Sequence, residues 1–110
     1  MALKLKNNAA GVLAASISAS DTGITLAAGQ GATFPTMTAG DYFYATLENT
    51  DGSYEIVKVT ARSGDGMTIV RGQEDTATNG FAQGARFAMR VTVQNILDVI
   101  GANEDYGSIV

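Results

Sequence analysis

DYFYATLENTDGSYEIVKVTARSGDGMTIVRG, residues 41–72, decides the fold. In its first third Phe43, Ala45 and Leu47 alternate with Tyr42, Tyr44 and Thr46. This period of two, rich in aromatic and β-branched residues, predicts a strand over 41–48. Residues 49–53 then supply Asp51-Gly52, a pair suited to a tight hairpin turn. Alternation resumes over 54–61, with Val57 and Val59 on one face and Ile56, Lys58 and Thr60 on the other. A second turn, RSGDG at 62–66, leads into a short strand from Met67 to Arg71. The turns are too short for parallel crossovers, so the three strands are expected to form an antiparallel meander.

Working outward, VLAASISA at 12–19 places Leu13, Ala15, Ile17 and Ala19 on one strand face, and a turn at 20–23 joins it to a brief strand at Ile24–Leu26. These two are expected to pair as a hairpin. Residues 27–40 read as an ordered loop pinned by Phe34 and Met37, and residues 73–84 as a second long loop anchored by Phe81. ARFAMRVT at 85–92 alternates Phe87, Met89 and Val91 against Arg86, Ala88 and Arg90, predicting the last long strand. From Thr92 the period lengthens, with Val93, Ile96, Leu97 and Ile100 at helical spacing before Gly101. The expected fold is mainly β: a small antiparallel β-barrel or sandwich of about six strands with a short C-terminal helix. It divides into an N-terminal arm at 1–11, a single domain at 12–101 and a tail at 102–110.

The chain has 110 residues, with 17 Ala, 13 Gly and no Cys, His or Trp. One small core is the default for this length, and the alanines thin it. Without His or Cys, the usual zinc sets, Ser-His and Cys-His nucleophiles, thioredoxin-like redox chemistry and haem ligation by those residues are excluded. The net charge is −4 and the positive residues form no run, which argues against a nucleic-acid partner. No window approaches the roughly 18 apolar residues of a membrane span, and no membrane partner is expected.

The remaining enzyme-like set is Asp41, Glu48, Glu55 and Asp65 with Lys58, Arg86 or Arg90, but its spacing defines no pair of carboxylates poised for acid-base work. Solvated strand ends and cross-strand pairing explain these residues better, so no catalytic residue is assigned. GQG at 29–31 and RSGDG at 62–66 suggest phosphate loops, yet neither has the GxxxxGK[ST] spacing or a following helix. Asp51-Gly52 and Asp65-Gly66 lack the ligand pattern of a calcium loop. No metal and no cofactor are expected. Tyr42 and Tyr44 share a strand face and Tyr54 lies just across the turn, an aromatic set suited to a protein interface or to ordinary sheet packing. Arg86 and Arg90 are two separated anchoring points on one face, and Arg71 is read as an organiser of the QEDT loop.

The segment GDYFYATLENTDGSYEIVKVTARSGDGMTIVRGQE, residues 40–74, resembles a small β-rich domain of tailed-bacteriophage virion proteins. The likeness extends more loosely from Ala9 to Thr92, through LAASISASDTGITLAAGQGATFP at 13–35, EIVKVT at 55–60, Arg71-Gly72-Gln73 and GARFAMRVT at 84–92. Glu74 and Asp75 depart from the family pattern, which has an acidic residue and glycine before threonine. The resemblance implies a non-enzymatic structural module, found in tail-fibre-like proteins and in short separate virion proteins. The shortness of the chain favours a capsid decoration or cement protein over a tail or baseplate attachment protein, with a carbohydrate-binding module as a minor alternative. The implied partners are the major capsid protein or another virion structural protein and further copies of the chain, a trimer among them. The implied location is the outer capsid surface, after synthesis in the host cytoplasm. The candidate interface comprises Leu5, Phe34, Tyr42, Tyr44, Tyr54, Arg86, Arg90 and Tyr106, and the candidate loop organisers are Arg71, Gly72 and Gln73.

Overall fold

Two local devices create the meander. At Asp51-Gly52 the carboxylate accepts the Ser53 N–H at 2.9 Å and the Ser53 hydroxyl at 2.7 Å, while Gly52 takes the left-handed φ of 90°. At the next turn Gly64 does the same with φ of 60°. The computed structural model describes Lys4 and residues 9–89, and these turns join β3 (Phe43–Glu48), β4 (Tyr54–Ser63) and β5 (Gly66–Gln73) into antiparallel neighbours. Register shifts at Ile56/Lys58 and Val59/Ala61 bend the β4–β5 pair.

Three short strands complete the sheet: β1 (Ala10–Val12), β2 (Gly23–Thr25) and β6 (Arg86–Ala88). All pairs are antiparallel, in the order β1-β6-β3-β4-β5-β2. The sheet curls so that the residues just past its two edge strands meet at an isolated Leu13–Leu26 bridge, where Ala14 N–H donates to the Thr25 carbonyl and Ala27 N–H to the Val12 carbonyl. The edge strands themselves do not pair. The result is a half-barrel made from one sheet. Along β1 the outer edge is blunted by side chains, since Gln30 accepts the Val12 N–H at 2.7 Å and the Thr33 hydroxyl reaches the Ala10 carbonyl at 3.3 Å.

Inside the curl, Phe43, Ala45 and Leu47 of β3 face Val57 and Val59 of β4, Ile69 of β5 and Phe87 of β6. Phe34 closes this core from the 27–40 loop, its ring 5.8 Å from Phe43 and 5.2 Å from Phe87 between centroids. Phe81 anchors the 73–84 loop in the same way.

The barrel-or-sandwich expectation with a C-terminal helix is corrected to a six-stranded antiparallel half-barrel. Among the described residues the sole helical element is one 3-10 turn, Gln30–Thr33. The helix expected from Thr92 to Gly101 and the tail at 102–110 lie outside the described residues. The strand expected at 12–19 is also corrected, because regular pairing occupies Ala10–Val12 and ends in bridges at Leu13 and Ile17. Ala14, Ala15 and Ser16 bury too little apolar area to hold a ladder, and the Asp21 carboxylate draws the Ser18 N–H into a local turn. Its expected partner at 24–26 meets it only at the edge bridge and pairs along its length with β5. β1 begins inside the stretch read as an arm. β6 spans Arg86–Ala88, three of the eight residues expected; the Met89 N–H continues the ladder to Ala9, and residues 90–92 lie outside the described residues.

The glycines of two loops make different demands. A Cβ on Gly31 would lie 2.2 Å from the Gly64 carbonyl oxygen and 2.7 Å from Asp65 Cα, whereas Gly52 has open space and needs only its positive φ. Gly31→Ala is therefore expected to cost about 2–3 kcal/mol in urea unfolding, as an overpacked backbone contact. Gly52→Asn, tolerated in the left-handed region, is expected to cost under about 1 kcal/mol. Equal midpoints for the two variants would contradict the packing of the 3-10 turn on the β4–β5 turn.

Candidate functional site

The alternation that buries Val57 and Val59 carries Glu55 to the same inner face, where its side chain is fully buried. A lone carboxylate there is unfavourable. Arg71, near the end of β5, supplies the partner: Nε donates to Oε2 at 2.9 Å and one terminal nitrogen to Oε1 at 2.8 Å, a two-pronged pair. The Gly72 N–H adds a bond to Oε2 and the Asn79 N–H one to Oε1, both at 2.8 Å. Gly72 turns through φ of 64° to bring its amide into place.

Arg71 is equally committed. Its other terminal nitrogen donates to the carbonyls of Ser18 at 2.7 Å and Asp21 at 2.8 Å, and the first also reaches the Asn79 carbonyl. All five of its N–H donors are used, and Glu55 accepts four hydrogen bonds. The pair thus ties the 18–21 turn and the 76–80 segment to β4 and β5. Gln73 completes the local order: its amide donates to the Arg71 carbonyl at 3.2 Å, while its own carbonyl accepts the Thr76 N–H and hydroxyl. Glu74 and Asp75 sit between them at φ of 52° and 63°. Both residues lie in left-handed backbone, which an aspartate tolerates better than most side chains other than glycine.

The two phosphate-loop phrases satisfy one another. The N–H groups of Gly29 and Gly31 converge on the Asp65 carboxylate at 3.0 and 2.8 Å, so the GQG nest holds an anion supplied by RSGDG. These bonds hold the Asp65 carboxyl below its usual pKa. Arg62 fastens the same corner through the carbonyls of Pro35 and Gly64. Among the described residues no group of three or more carboxylates could hold a metal ion.

The candidate interface residues among those described do not form one exposed patch. Phe34 is a core residue, 1% exposed, which corrects its assignment as a contact: it is the large side chain available to close the Phe43–Phe87 end of the curl. Tyr44 is also corrected, being buried edge-on against Tyr42 at 5.9 Å. Tyr42 is half-buried, with the Lys58 ammonium 4.6 Å from its ring centre. Tyr54 is exposed at 54% and Val70 at 44%, both on the outer face of the meander, where Val70 stands beside Lys58. Arg86 is exposed opposite Glu48. Leu5, Arg90 and Tyr106 lie outside the described residues. Sequence reading missed Glu55 as a structural centre, although its phase with Val57 and Val59 was the available signal. Val70 was missed because an isolated valine in a short strand carries no mark of exposure.

A scan against protein-family models returned no matching family, and a search of curated proteins returned no similar sequence.

Burial pushes the Glu55 carboxyl up, but the Arg71 guanidinium and the Gly72 and Asn79 amides outweigh it and hold the group below its ordinary value of 4.5. A depressed folded pKa means stabilisation that is complete above the unfolded value and is lost as pH falls through the folded one. Unfolding free energy is expected to be level near neutrality and to decline below about pH 4.5. Glu55→Gln removes part of that acid limb while lowering stability at pH 7. Urea titrations at several pH values check this, and an acid limb unchanged by the substitution contradicts it.

Proposed function

We propose that the chain is a non-enzymatic structural protein of a tailed-bacteriophage virion, acting as a decoration or cement protein on the outer capsid surface and clamping adjacent coat subunits. The likeness of residues 40–74 to the virion domain supports the class. The observation that carries the reading is the division of labour between the two faces of the meander. On the inner side the strongest polar groups, Glu55 and Arg71, are bound to backbone and to each other. On the outer side Tyr54 and Val70 present apolar area to solvent. A domain so arranged is a rigid platform with an adhesive face, and modest contacts repeated around a symmetry axis gain from multivalency.

Tyrosine is a favoured anchor in such contacts because it offers rigid area and a hydroxyl for the wet rim. Tyr54→Ala is expected to weaken co-sedimentation with capsids lacking the protein by about tenfold or more, equivalent to roughly 1.4 kcal/mol, with an unchanged thermal midpoint. Labelling of the chain on intact particles should show many copies spread over the head. Failure to sediment with heads, together with a few copies confined to one vertex, would replace this reading by the tail-attachment one.

A further inference from the structure

The segment Asn79–Ala82 is pinned at nearly every peptide. Glu55 takes the Asn79 N–H, Arg71 its carbonyl, Asn49 takes the Gly80 carbonyl and the Ala82 N–H, and Ile17 pairs with Phe81 in both directions. Among the described residues, one backbone donor of this run has no hydrogen-bond partner, the Gly80 N–H, and the side-chain amide of Asn79 has none either. Gly80 is exposed and Asn79 is half-buried, so water reaches this peptide. The unengaged nitrogen and the unengaged amide belong to consecutive residues, and glycine puts no Cβ beside the nitrogen to obstruct its approach.

We propose that Asn79 is a site of spontaneous deamidation that loosens the Glu55–Arg71 hub as the protein ages. The Gly80 nitrogen attacks Cγ of Asn79, forming a C–N bond, and ammonia leaves carrying the displaced proton. Water then opens the cyclic imide at either carbonyl, giving aspartate or isoaspartate with no change of oxidation state. Both products add a negative charge to the residue whose N–H Glu55 accepts, where one guanidinium already serves one carboxylate. Isoaspartate does more, because it routes the main chain through Cβ, adds one atom between Asn79 Cα and the Gly80 nitrogen, and takes the carbonyl that Arg71 binds out of the main chain as a free carboxylate. Asn49 is a built-in control: its amide donates to the Ser53 hydroxyl and the Gly80 carbonyl and accepts the Ala82 N–H, and threonine follows it.

The test incubates the folded full-length protein at mildly alkaline pH and maps amide-to-acid conversion by peptide mass spectrometry. Asn79 should convert well ahead of Asn49, and Gly80→Ala should slow it several-fold. That variant is expected to fold, since its Cβ would meet the Ile17 carbonyl oxygen at an ordinary 3.5 Å. The isoaspartyl form should unfold at lower urea than Asn79→Asp, and Asn79→Asp at lower urea than the parent. An Asn79 that converts in urea but stays intact in the folded protein overturns the site. Conversion without any change of urea midpoint overturns its effect on the hub.

Discussion

A buried carboxylate bound by a guanidinium fixes the end of the sheet where two loops must be held. Exchanging an ion pair for apolar residues is often neutral in a protein interior, but removing one member alone costs about 3–5 kcal/mol. Here even the exchange is unfavourable in principle, because Glu55 and Arg71 also serve two backbone N–H groups and three backbone carbonyls. Those groups would lose partners together. Against a total stability of about 5–15 kcal/mol, such a hub is decisive for a domain with a small, alanine-diluted core.

The hub also explains why two long loops coexist with short strands. Three of the six strands have three residues each and could not fix register by themselves. The 18–21 turn and the 76–80 segment are instead held by Arg71, and the 27–34 segment by the Asp65 carboxylate at the opposite corner. Both devices use charged side chains to gather backbone groups, and the outer face of the meander is left with Tyr54 and Val70 exposed.

The meander was legible because its information is local: strict alternation over 43–48 and 54–59, and Gly-containing turns at 49–53 and 62–66. Strand order was not, since β1 meets β6 across more than seventy residues and no side-chain pattern in AGV marks that choice. The alternation at 12–19 misled because Ala and Ser satisfy a period of two without supplying burial. The place of Arg71 at a strand–loop junction pointed to the adjoining QEDT loop, whereas its side chain binds Ser18, Asp21 and Asn79, and finding its partner Glu55 required asking which carboxylate shares phase with buried valines. Phe34 shows the opposite limit: an aromatic in a Gly-rich loop reads equally as contact or as core, and the curl of the sheet decides between them.

The central claim is that the Glu55–Arg71 hub is as stable as the core it adjoins. Native-state hydrogen exchange of the Gly72 and Asn79 amides tests it most directly, since each donates to Glu55. Both amides should exchange only with global unfolding, at the same free energy as Val57, while the Gly80 amide next in sequence exchanges freely. Exchange of Gly72 and Asn79 at the rate of Gly80 would show that the loops open independently of the sheet, and would contradict the account.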